Sequence, residues 1–230
     1  TTEWKPPAEP VASATTDSAL AAHVMAAAGT DEDAPKTTSL DVWRVNPDGT
    51  ETLIGSGLYS GQQVIDRLPP LNVDFSYRAV AHSEMDTTSS TTYSYRVNSD
   101  GMEAFNFGDD ASVALVLGFD AKGSSSVEHS GETFHFALGK NTQSLPTFYP
   151  DGDIDVDGSH SYVVHGAEEY NRVRGVVYTP GYGICWFRDG WGNRARCVAK
   201  WSLGYDAKSY LLFDVKASLT EVVWEEPSNG

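Results

Sequence analysis

The chain has 230 residues, 40% hydrophobic and 21% charged, which is enough apolar material for packed cores and argues against wholesale disorder. Its 32 acidic residues against 16 lysines and arginines leave a formal net charge of -16, and that balance excludes the basic face that nucleic-acid binding demands. No apolar run approaches the roughly 20 residues of a membrane-spanning helix, and two cysteines are too few for a disulfide framework.

In chain order, Thr1 to Pro10 is polar and proline-rich, unlike a secretory signal. Ser18 to Gly29 is alanine-rich and helical by propensity alone, yet it lacks an apolar stripe and its neighbours read as strands. Leu40, Val42 and Val45 then run into Asn46-Pro47-Asp48-Gly49, with Thr52 to Ile54 returning, which predicts a hairpin. Phe75, Tyr77, Ala79 and Ala81 alternate with Ser76, Arg78, Val80 and His82, the period of a half-buried strand. A polar joint follows at Asn98-Ser99-Asp100-Gly101. The second half is again strand-rich, with one short helix expected at AEEYNRVRG, where Gly175 fits a C-cap. After it come a hairpin over ICWFRDGWGNRARCVAK and a last strand over SYLLFDVKASLTEVVWEEP.

The proline-rich Lys5 to Pro10 and the segment Leu68-Pro69-Pro70-Leu71-Asn72-Val73-Asp74-Phe75-Ser76-Tyr77 resemble a fibronectin type III domain. The resemblance implies a β-sandwich over residues 1–97 with Tyr77 in the role of the tyrosine corner. Within a second domain expected over residues 98–230, roughly residues 104 to 226 resemble the β-rich C-terminal module of minor tail and distal-tail-like proteins of long-tailed phages. The residues behind that likeness are Gly139-Lys140, Leu145-Pro146, the acidic helix, the Trp186 to Arg194 hairpin and the closing Leu219 to Glu226. Together these imply an all-β chain, a fibronectin type III-like sandwich followed by a second sandwich or split barrel with one short helix. The role implied is structural: a virion component made in the host cytoplasm and assembled in symmetric copies at the tail tip, with other tail proteins and copies of itself as partners. The alternative is a bacterial surface or secreted carbohydrate-binding module with a fibronectin type III spacer. A third reading is the non-catalytic part of a secreted glycoside hydrolase.

Asp153, Asp155, Asp157 and Gly158 have the opening spacing of an EF-hand loop, which makes the three aspartates a calcium candidate. The twelfth position, where a bidentate glutamate belongs, is Val164, so the run reads instead as a strand with Ile154 and Val156 inward. His160 and His165 lie near it without a zinc spacing, and no GxSxG elbow or HExxH pair occurs. No catalysis and no cofactor are therefore expected. Cys185 and Cys197 are placed symmetrically about Trp191 and are expected to be reduced and buried. The aromatic and basic side chains Trp186, Phe187, Arg188, Trp191, Arg194 and Arg196 are the types that supply interface hot spots, and they form the candidate contact surface, a host glycan being the other ligand class considered.

Overall fold

The computed structural model describes residues 5–118, 124–128, 133–136, 145–148, 157–205 and 212–222. Among them the strands are β1 (Val11–Thr16), β2 (Ala22–Ala27), β3 (Thr37–Val45), β4 (Glu51–Leu58), β5 (Gln63–Asp66), β6 (Phe75–Ser83), β7 (Thr88–Tyr95), β8 (Met102–Phe107) and β9 (Val113–Gly118). There follow β10 (Ser124–Glu128), β11 (Thr133–Phe136), β12 (Leu145–Phe148), β13 (Asp157–His165), helix α1 (Ala167–Val177), β14 (Ile184–Arg188), β15 (Arg194–Tyr205) and β16 (Leu212–Glu221). The fold is all-β with one short helix.

Two compact units are present. The first takes residues 1–118 together with 184–196; the second takes 119–183 with 197–222. The first unit contains two antiparallel sheets, β1-β2-β5 and β4-β3-β6-β7. Both contribute to one core cluster that includes Val24, Leu40, Val42, Ile54, Phe75, Tyr77, Ala79 and Ala81. This is a sandwich, and its strands alternate because successive side chains point to opposite faces. In β6 the inward residues are those the sequence period picks out, each at most 4% exposed. The alanine-rich segment is strand β2: its small side chains Ala22, Val24 and Ala26 lie at the sheet-to-sheet contact. Tertiary packing has overridden helix propensity there.

The first unit does not stop at residue 97. Val97 bridges Leu71, Ser99 is fully buried with its N–H on Asn72 Oδ1, and Ala104 and Val116 join the same core cluster. The Asn98–Gly101 stretch is thus a tight turn inside the unit, with Asp100 and Gly101 at φ of 52° and 80°.

Tyr77 bonds a side chain, not the backbone, through its hydroxyl. Its hydroxyl donates to Asp66 Oδ2 at 2.8 Å, while Asp66 Oδ1 accepts Arg44 Nη1 at 2.6 Å and the Leu68 N–H at 3.1 Å. Burial, then the neighbouring carboxylate of Asp66, raises the Tyr77 phenol well above its usual range. Arg44 occupies an inward position of β3 after Leu40 and Val42, and it is fully buried.

In the second unit β13 pairs with β10 and with β16, and β16 pairs with β15, all antiparallel. β11 and β12 form a separate two-stranded ribbon. Helix α1 buries Val173 and Val177, and Tyr170 stacks on Phe213 with ring centroids 4.3 Å apart. The helix runs through Gly175 to Val177 and is closed by Tyr178. Gly175 is therefore a residue within the helix rather than the expected cap. The buried Val177 one turn beyond Val173 explains the extra length.

Candidate functional site

The site is built on the turn between β14 and β15. β14 pairs antiparallel with β8, setting Trp186 opposite Asn106, Phe187 opposite Phe105 and Arg188 opposite Ala104. The Phe105 and Phe187 rings lie 5.0 Å apart, and Trp186 clusters with Leu68 and Ala111. These contacts bury Trp186 and Phe187 within their own unit, leaving 5% and 0% exposed.

Asp189 closes the turn. Its Oδ1 accepts the N–H groups of Trp191 and Asn193 at 2.8 and 2.9 Å, and its Oδ2 accepts Asn193 Nδ2 at 2.8 Å. Burial pushes the Asp189 carboxyl up against the opposing pull of these three donors. Gly192 holds a φ of 92°, and a side chain there would meet Val73 carbons at 2.8 Å. Gly190 gives its carbonyl to Asn72 Nδ2 at 3.0 Å, and Asn72 is itself fixed by the N–H and hydroxyl of Ser99. A clamped backbone therefore carries one outward group, the indole of Trp191, which is 84% exposed.

The six side chains grouped by sequence separate accordingly. Trp186, Phe187 and Arg188 belong to the interior. Arg194 is half-buried and donates to the Leu68 carbonyl and to Asn46 Oδ1 at 2.9 and 3.1 Å. Arg196 is half-buried. The six therefore do not form the expected contact surface together: Arg188 and Arg194 hold the hairpin in place, and of the six Trp191 alone projects fully. Sequence reasoning missed Arg44, Asp66, Asn72 and Asp189. Only Asp189, ahead of Gly190 in a hairpin, carried a turn signal.

Other candidates are placed as follows. Asp153 and Asp155 lie outside the described residues. Asp157 opens β13, and Val164 is a buried strand residue paired with Phe213, so the second half of the EF-type spacing is extended strand rather than loop. His160 is buried, its ring stacked parallel to Tyr162. Among the described residues no three His, Cys, Asp or Glu side chains group as metal ligands. Cys185 and Cys197 are both buried and are not joined by a disulfide. A cavity of about 520 Å³ beside α1 is lined by Asn171, Arg174, Gly175 and Tyr178, without a carboxylate, histidine or cysteine. No helix of the described residues is long and apolar enough to cross a membrane. No protein-family model, curated protein or solved structure matches the chain.

Proposed function

We propose that this chain is a structural component of a bacteriophage tail tip, that it acts through assembly rather than catalysis, and that Trp191 is its principal contact to a neighbouring tail protein. The observation that carries the reading is the pairing of a fully clamped turn with a single exposed indole. Tryptophan is enriched among interface hot spots, and a contact residue held rigid before binding loses less entropy on association. The phage assignment rests on the sequence resemblance of roughly residues 104 to 226, and the strand-rich character of the chain is compatible with it. The competing reading is carbohydrate binding, because an exposed indole face also stacks on sugar rings.

Trp191→Ala separates the two. As a surface substitution it should change stability by no more than about 0.5 kcal/mol. Incorporation into particles should fall at least tenfold while the purified chain keeps its melting temperature. Normal incorporation with lost retention on host-wall glycans would reject the assembly reading in favour of the carbohydrate one.

A further inference from the structure

Arg188 is completely buried, and its hydrogen bonds all go to uncharged oxygens. Nε donates to Asn106 Oδ1 at 3.2 Å, Nη1 to the carbonyls of Leu20 and Pro69 at 2.8 and 3.2 Å, and Nη2 to the carbonyl of Ala19 at 3.2 Å. These acceptors come from three separate stretches of the first unit: the turn after β1, the loop after β5, and β8. Leu20 contributes its carbonyl from a left-handed backbone, φ 58°, which a leucine adopts only at a cost.

We propose that residues 1–118 form a guanidinium-binding socket and that the 184–196 hairpin is held in it, through Arg188, as an internal ligand. The acceptors surround a flat group and use all three guanidinium nitrogens, which is the recognition pattern of a planar fork. A lysine ammonium is a compact, strongly hydrated point charge and cannot reach the four acceptors from one nitrogen. The weaker hydration of guanidinium also makes it the basic group that tolerates burial among neutral oxygens. Burial lowers the pKa of Arg188 to about 10, so it still enters the socket as a cation at neutral pH. The ligand class is therefore guanidinium or an alkylguanidinium, independent of what Trp191 contacts.

The test is chemical rescue in the full chain. Arg188→Ala should melt lower than the parent, and low-millimolar methylguanidinium should raise its melting temperature saturably, as mass action requires of a ligand that binds only the folded state. Methylammonium at equal ionic strength should not, and the parent chain should respond to neither. Equal responses to the two cations would overturn the socket. Should the alanine variant not fold, Arg188→Lys keeps length and charge. The amides of Trp191 and Asn193 should then exchange at least tenfold faster than in the parent, and parent-like protection would overturn the proposal equally.

Discussion

The turns that begin at Asp17 and at Asp189 are built alike and titrate in opposite directions. In both, the aspartate Oδ1 accepts the N–H groups two and four residues on: Ala19 and Ala21 at 2.9 and 3.0 Å in the first, Trp191 and Asn193 in the second. In both, the aspartate N–H bonds the carbonyl four residues on, and the residue at the third step is left-handed, Leu20 at 58° and Gly192 at 92°. This is the three-residue hairpin loop with a type I turn and a left-handed closing residue. At Asp17, burial works to raise the carboxyl, yet the His23 bond at 2.8 Å and the two amides outweigh it and leave it below its ordinary 3.8. At Asp189 the same kind of donor set is present and burial wins. The two turns share their backbone geometry, but His23 adds a hydrogen bond and a favourable charge at Asp17, whereas deeper burial and the nearby Glu103 act on Asp189; no reading of a five-residue window can supply those neighbours.

The contrast between buried and exposed settings predicts its largest effect at Asp66. Breaking a buried ion pair by removing one member is strongly destabilising, so Asp66→Ala, which takes from Arg44 a carboxylate at 2.6 Å and from Tyr77 its acceptor, should cost roughly 3–5 kcal/mol in chemical denaturation. Glu51→Ala, which breaks the half-exposed Arg78 pair, should cost under about 1 kcal/mol. Equal losses would erase the distinction.

An intermediate effect belongs to the glycines at the third step of two such turns. Gly192→Ala combines a left-handed residue, about 1–2 kcal/mol, with overpacking on Val73, about 1–3 kcal/mol. Gly49, at φ 85° with nothing within 4 Å, should show only the first of these. A melting-temperature drop no larger for Gly192→Ala than for Gly49→Ala would mean that the 189–193 turn is not wedged against Val73.

The smallest effect is a pair of pH slopes, and their signs are opposed. Asp17 has a depressed pKa, so its contribution to stability is present above the unfolded value of 3.8 and is lost as pH falls through the folded value. Asp189 has a raised pKa, so its contribution is largest below 3.8 and declines as pH rises from there through its folded value. Denaturation midpoints of the parent relative to Asp17→Asn should therefore rise with pH across the carboxylate range, and relative to Asp189→Asn they should fall. Slopes of the same sign would show that the two turns share one environment.

What the sequence made legible was whatever depends on near neighbours. The inward set of β6 and the 46–50 turn both follow from period and turn chemistry, and both are found, with the Asn46 N–H on the Thr50 carbonyl at 2.8 Å. Arginines defeated the same logic. Arg44 sits at an apolar period position because Asp66, 22 residues on, neutralises it. Arg188 was grouped with surface hot spots because its best acceptor, the Leu20 carbonyl, lies 168 residues away in the chain. Trp186 and Phe187 were drawn into the same surface by composition, whereas pairing with β8 turns them into core. Trp191 is exposed at the hairpin tip because a turn residue flanked by Gly190 and Gly192 has no strand face to hide on.

The neutral acceptors around Arg188 also set how the molecule responds to salt. At about 0.1 M ionic strength charges more than roughly 10 Å apart in solvent cease to feel one another, so added salt relaxes the mutual repulsion of a chain with net charge -16 and loosens half-exposed pairs such as Arg78 with Glu51. The hydrogen bonds of the buried Arg188 guanidinium go to carbonyl and amide oxygens, and buried Asp66 acts on its charge ahead of the partly exposed Asp17, so little of what holds it is open to screening. The backbone that carries Trp191 is consequently held alike in dilute and concentrated media, and ionic strength acts on how often the molecule meets a partner rather than on where the turn presents its indole.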